Sequence, residues 1–483
     1  MPSQAGESRH APVEAGHAPV ERGHTPWELD QRIILPLCGI IFFSVLNGTM
    51  FNVAIPSIKA EYGLLPSEAS WVMTGYIIIF ALGSIIYGKL ADSHRVRDLI
   101  TLGLVLFNLG SFMGIFSVNY PMLIAARSIQ AAGASAIPAL AMIVATRYFP
   151  PQLKGRVLGA IASTVAFSGG IGPILGGFIA GSFHWRYLFP PTLVTLLVLP
   201  YLRRMLPGIR PKGGRFDLTG AVILGLGIAS VLIFVTEGLD IALGLGIALI
   251  TWFIIHIRRA ENPFIKPALF HNRAYRDTII MTFISTGAVF GMFFMVPIML
   301  NDLYGFGPGM IGLVMFPGAM SAAFSGTRGG RLADRKGGRY VIFLGIGLYV
   351  ASFLILSSVA GAGALAVGLA LIMSYVGFSF LQSSLPHTVS SELAPEDTGI
   401  GMGIYTLFFF IAGAFSAAII GKVLDMKQAG VCLNPLALWC EPRVWLYSNI
   451  FLSLALMLLM GTFMFWRGTR GVLKSRRGEA EGA

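Results

Sequence analysis

Fourteen stretches, almost free of charge, recur along this 483-residue chain. Each is close to the length of about 20 residues that carries a helix across roughly 30 Å of bilayer hydrocarbon at 1.5 Å per residue. They cover approximately residues 32–54, 70–90, 99–118, 121–145, 157–182, 187–205, 218–236, 241–257, 278–299, 309–329, 340–360, 363–385, 399–424 and 444–466. With 55% of residues hydrophobic and 12% charged, the chain carries more apolar surface than one soluble core can bury. The expected fold is all-α, a polytopic membrane protein of 14 transmembrane helices.

The net charge of +12 would suit a polyanionic partner if it formed one patch, so its distribution decides. With an even number of spans both termini share a side, and 29 of the 35 Lys and Arg fall in the tails and loops of that side. The opposite side holds Lys59, Arg186, Lys422, Lys427 and Arg443, and Arg127 alone lies inside a span. This bias predicts both termini in the cytoplasm and explains the basic character without nucleic acid. The tail before residue 32 repeats His10-Ala-Pro-Val-Glu, His17-Ala-Pro-Val-Glu and His24-Thr-Pro-Trp-Glu. It has no apolar face to bury, and its histidines have no scaffold, so disorder is expected and no metal. No phosphate-cradling Gly-x-x-x-x-Gly-Lys-Ser/Thr occurs, and no Ser-His, Asp-Asp or metal-ligand set falls within the spans. Neither a nucleotide nor any other cofactor is expected, and an intramembrane enzyme or sensor is disfavoured.

One loop is written twice. Gly88 to Arg97 reads Gly-Lys-Leu-Ala-Asp-Ser-His-Arg-Val-Arg, and Gly330 to Arg339 reads Gly-Arg-Leu-Ala-Asp-Arg-Lys-Gly-Gly-Arg. Each copy opens on a glycine that lets helices approach, places Asp92 or Asp334 four residues on, and continues into basic residues, among them Arg97, Arg335 and Arg339. The carboxylate is suited to accept hydrogen bonds from a helix N-terminus, and the basic residues to stay at the cytoplasmic surface. The alternative is a pair of positive anchors and nothing more. The copies stand 242 residues apart, which leaves room for six spans, two extra spans and six more. The expected units are a cytoplasmic tail (1–31), a six-helix bundle (32–205), two extra helices with cytoplasmic linkers (206–276), a second six-helix bundle (277–466) and a basic cytoplasmic tail (467–483).

The spacing Gly-x-Leu-Ala-Asp-Arg-x-Gly resembles the loop signature of the major facilitator superfamily, with Ser93 and Arg95 as departures in the first copy. The resemblance runs over nearly the whole chain after the tail. In the first span, Asn47 and Asn52 cannot both face lipid without cost, so at least one fastens helices or meets substrate. Asn52-x-Ala-x-Pro resembles the first-helix signature of the superfamily's fourteen-helix drug efflux branch. In the fourth span Arg127 and Gln130 share a helical face, and Arg127-Ser-Ile-Gln130 resembles the signature whose arginine, in relatives, belongs to the central cavity and to proton coupling. An arginine capping backbone carbonyls near a helix end is the other reading. In the fifth span two rows of small residues run side by side, Ser168, Gly172, Gly176, Ala180 and Gly169, Pro173, Gly177, Gly181. They let neighbours close in, and Gly170 to Gly177 resembles the signature that marks exporters.

Further runs, Tyr148-Phe149-Pro150, Met299 to Tyr304 and Phe316 to Met320, resemble the tetracycline efflux proteins of that branch. What the resemblance implies is a secondary transporter that exports small amphipathic drugs by alternating access, in exchange for protons. An uptake permease, or an exporter of an anionic or zwitterionic metabolite, is the rival. The tetracycline relatives carry glutamates in three spans, and the aligned positions here are Gly48, Gly169 and Gly413. None of the 23 Asp and Glu falls in mid-span, Asp302 being the closest, near an outer end. Substrate or coupling therefore draws on Arg127, Gln130, Asn47, Asn52 and Asp302. Cys432 and Cys440, in the last outer loop, are either a disulfide or two free thiols.

Overall fold

The computed structural model describes residues 31–208, 217–260, 265, 267–394, 397–427, 430–437 and 441–481. The histidine-bearing tail and Cys440 lie outside these residues. The helices are α1 (Ile34–Tyr62), α2 (Pro66–Leu90), α3 (Val96–Ile115), α4 (Tyr120–Ala134), α5 (Ala136–Arg147), α6 (Pro151–Ser182), α7 (Thr195–Met205), α8 (Leu218–Glu237), α9 (Asp240–Arg259), α10 (Arg273–Tyr304), α11 (Pro308–Lys336), α12 (Gly338–Val359), α13 (Ala364–Ser391), α14 (Thr398–Leu424) and α15 (Pro442–Glu481). No strand occurs among the described residues. Helices α1–α7 pack among themselves, as do α10–α15, while α8 and α9 pack on each other and α8 also touches α2 and α14.

Among the described residues, 13 helical segments are long and apolar enough to cross a bilayer. The fourth run is α4 and α5 together, interrupted at Ser135. Pro138 has no N–H to offer the Ala134 carbonyl, and the Ser44 hydroxyl of α1 donates to that oxygen at 3.3 Å. The sixth run departs from expectation. Pro190 and Pro191 open a 3-10 segment, Pro190–Val194, and only the 11 residues of α7 follow as α-helix. Hydroxyls of Thr192 and Thr195 donate to the carbonyls of Phe189 (2.6 Å) and Thr192 (2.7 Å), so the broken backbone is satisfied locally.

The duplication read from the loops extends into the backbone. Helix α1 ends on Tyr62-Gly63 and α10 on Tyr304-Gly305, and both glycines are left-handed, at φ +63° and +67°. A side chain is strained in that conformation, so glycine closes both helices. Helices α2 and α11 then begin on Pro66 and Pro308. All three pairs keep the 242-residue interval of the loops.

Helix α6 holds the interior together through its two rows of small residues. A Cβ on Gly176 would lie 2.5 Å from the Met50 carbonyl of α1, and one on Gly172 would overlap the Thr49 side chain. The other row faces α11: a Cβ on Gly177 would lie 2.6 Å from the Pro308 carbonyl, and Gly312 would meet the Pro173 carbonyl at 2.5 Å. One row thus serves α1 and the other serves α11, across the seam between the two helix groups. Gly169 differs from its neighbours in having nothing within 4 Å of its Cβ position. Gly176→Val is therefore expected to destabilise the protein by about 1–3 kcal/mol, and Gly169→Ala to leave it unchanged or slightly more stable. Thermal melting of both variants in detergent checks this, and equal losses would contradict the packing.

Candidate functional site

Helix α4 presents Arg127 and Gln130 on one buried face, 2% and 0% exposed, against α1 and α3. Arg127 Nη1 donates to Asn47 Oδ1 at 2.7 Å and to Gln130 Oε1 at 2.6 Å. The guanidinium carbon sits 4.1 Å from the centre of the Phe51 ring and 4.0 Å from that of Tyr76, so the cation lies over two aromatic rings. Gln130 is held in turn, its Nε2 donating to Ser111 Oγ at 2.7 Å, and the Thr192 hydroxyl oxygen lies 2.7 Å from the same Ser111 oxygen. Next to it Asn108 Nδ2 donates to Thr195 Oγ1 at 2.8 Å. A buried polar chain therefore runs from Arg127 through α3 to the broken sixth segment. Sequence reasoning missed Ser111, Asn108, Thr192 and Thr195, because hydroxyls in an apolar run give no sign of which helix they face. Asn52 is buried too but joins none of these bonds.

Asn47 is thus a partner of Arg127, and Arg127 does not cap a helix end. Both of its acceptors are neutral, and among the described residues no carboxylate forms an ion pair with it. The positions aligned with the relatives' glutamates fall near the seam without supplying one. Gly48 lies beside Tyr76, Gly169 faces open space, and Gly413 lies under Phe290.

Contacts between the two helix groups cluster at the end poor in Lys and Arg. Lys59 Nζ of α1 meets Asp302 Oδ1 of α10 at 3.4 Å, and the Tyr447 hydroxyl of α15 donates to Asp302 Oδ2 at 2.7 Å. Asp302 therefore stands at the seam's end, away from the Arg127 cluster. Asp425 Oδ1, after α14, accepts the Ser67 backbone N–H of α2 at 3.0 Å, capping that helix from the other group. At the basic end, among the described residues, each polar contact stays within its own group. Arg147 reaches Asp92 Oδ1 at 2.5 Å and the Ala91 carbonyl at 2.9 Å, and Arg339 reaches Glu392 Oε1 at 3.2 Å.

The paired loops therefore hold differently from the sequence expectation. Neither Asp92 nor Asp334 caps a helix N-terminus here. Asp92 ties the α2–α3 turn to the end of α5. Asp334 lies within the last turn of α11, 71% exposed, where the helix dipole disfavours a carboxylate, and among the described residues its ion-pair partner is His387 at 3.9 Å. Gly88 and Gly330 have open space at their Cβ positions; the close approach in this region is at Gly329, against Phe380. Arg97 lies 3.7 Å from its neighbour Asp98, and Arg335 is exposed. Glu392, which sequence reasoning passed over, is a largely buried carboxylate of this end. It accepts from the Thr278 hydroxyl at 2.9 Å besides Arg339. Among the described residues Cys432 forms no disulfide, and its pairing with Cys440 lies outside them.

The chain belongs to the Major Facilitator Superfamily, whose family model matches residues 37–417. It is 25% identical over 407 residues to the riboflavin transporter RibZ of Clostridioides difficile, covering 82% of this chain and 89% of that one. Over 408 residues it is 26% identical to the multidrug transporter protein MdtP of Bacillus subtilis, covering 82% and 75%. The fold matches a bacterial homolog of the human lysosomal transporter Spinster in its inward-facing, occupied conformation. That match has a TM-score of 0.66 and 16% identity, and covers 94% of this chain and 99% of that one. The protein is a multi-pass membrane transporter.

Two predictions follow from the ends of the seam. Replacing Lys59 and Asp425 by alanine removes a partly exposed ion pair and a helix cap, about 1 kcal/mol each. The variant should open its poorly basic end up to about 30-fold more often, read as longer spin-label distances across that end; an unchanged distribution would show these contacts to be inert. Burial pushes the Glu392 carboxyl above its ordinary value of 4.5, against the opposing hydrogen bonds from Thr278 and Arg339. A raised acid stabilises the fold below its unfolded value and loses that contribution as pH rises through the folded value. The melting temperature should accordingly fall more steeply in the wild type than in Glu392→Gln as pH is raised from below 4.5 to neutrality.

Proposed function

We propose that this transporter exports small amphipathic drugs, of tetracycline or multidrug type, by alternating access in exchange for protons. The observation that carries the export reading is α6. Its glycine rows press against α1 on one side and α11 on the other, at the seam that must open and close, and they contain the stretch resembling the exporters' signature. Multidrug transporters among the relatives support the same reading.

The reading takes the chain as 14 spans, two six-helix bundles with α8 and α9 between them, in the bacterial cytoplasmic membrane with both termini in the cytoplasm. The fourteenth crossing is supported by the sixth segment: Arg186 bonds Glu61 at one end of the molecule, and Arg203 bonds Thr101 at the other. The closed end is then external and the basic end faces the cytoplasm. In this arrangement Arg127, Gln130, Asn47 and Asn52 serve the cavity, Asp302 the outer gate, and the loops at Asp92 and Asp334 the inner one. A second reading, export of an anionic or zwitterionic metabolite, is favoured by the missing counter-charge at Arg127, and the likeness to a riboflavin transporter keeps metabolites in view.

Everted vesicles energised to an acid interior test the direction. Accumulation of a drug from a panel of differing charge, abolished by a protonophore, is the expected outcome. Uptake driven the other way, into intact cells, would establish a permease.

A further inference from the structure

We infer that Arg127 is the carboxylate-binding end of a site for a flat aromatic acid, anionic or zwitterionic. This rests on reading Arg127 as part of the substrate cavity. A guanidinium has two faces and three edges. Its carbon already lies over the rings of Phe51 and Tyr76, and Nη1 is spent on Asn47 and Gln130. What the protein leaves unused is the edge formed by Nε and Nη2. Nε is buried without a partner, and Nη2 makes no hydrogen bond among the described residues. Two parallel N–H groups in one plane fit the two oxygens of a carboxylate.

Neighbouring groups point to the same ligand. Asn47 Nδ2 and the Tyr76 hydroxyl are both buried with no partner, so among the described residues the cluster holds surplus donors and no anionic acceptor. A buried charge and unpaired donors each cost stability, and a carboxylate would satisfy them together. A cation would add to the unbalanced charge.

The body of the ligand is indicated by what leads away from Tyr76. Tyr76 stacks on Phe80 at 6.0 Å, Phe80 meets Phe410 of α14 at 5.1 Å across the seam, and Phe410 meets Phe409 at 5.2 Å. This ladder of rings joins the two helix groups and offers flat apolar contact to a flat apolar molecule.

The test uses the full chain purified in detergent and three pairs of probes, benzoate, naphthoate and anthracene carboxylate, each beside its neutral amide. The acids are expected to raise the melting temperature more than the amides, increasingly with ring size. Tyr76→Phe keeps the ring but removes its hydroxyl and should weaken acid binding severalfold, and Arg127→Lys should weaken it by about tenfold or more. Equal effects of acid and amide in all three pairs would overturn the inference. So would acid binding indifferent to Tyr76→Phe, Asn47→Ala and Arg127→Lys, since water would then be filling the donors. The assay needs no gradient, so it is independent of transport direction. Loss of acid preference with drug export intact would refute the site alone, and acid binding without export would refute the exporter reading alone.

Discussion

Close approach of backbone to backbone along α6 is the constraint on which the interior depends. In lipid, helices gain little from hiding apolar side chains from one another, so packing and near contact must hold them. Gly172 and Gly176 let α1 in, and Gly177 and Gly312 let α6 and α11 interleave. Two of these contacts are between helices of different groups, so the same small residues that consolidate the protein also form the surface along which its parts must move.

Against that rigid strip stands a costly polar group. Arg127 is buried with neutral acceptors and ring faces, and its orientation is fixed at second hand, through Gln130, Ser111 and Thr192. The breaking of the sixth segment into 3-10 turns belongs to this chain of bonds. Its prolines cost helical hydrogen bonds, but they bring Thr192 and Thr195 to the side of α3 where Ser111 and Asn108 wait. The irregular backbone and the buried charge are parts of one arrangement.

Much of this was legible in the residues. Apolar runs located the 13 span-length helices among the described residues but not the break in the sixth run, the doubled loop announced the duplication, and the two small-residue rows of α6 turn out to face two different helices. Arg127 and Gln130 share a face as their spacing requires. The Tyr-Gly ends of α1 and α10 and the Pro starts of α2 and α11 were present as a second repeat and could have been found. What was not legible was partnership over long separations. Asp425 caps α2 from 358 residues away, and Lys59 meets Asp302 across 243; no local pattern marks which charges at helix ends will face each other. The loop aspartates were misjudged for the opposite reason, a local pattern suggesting a cap that α11, by running on to Lys336, does not need.

Helix α8 has a consequence for symmetry. Its Thr236 accepts from Trp71 of α2 at 3.2 Å and from Lys422 of α14 at 2.9 Å, so it roofs one of the two seams. On the opposite seam Phe178 of α6 and Phe324 of α11 stand exposed. Two equivalent halves would offer a lipid-dissolved molecule two equivalent side doors. Here α8 covers one seam, while the other, along which α6 and α11 interleave, is left to the surrounding lipid, so the molecule acquires a front and a back within the plane of the bilayer.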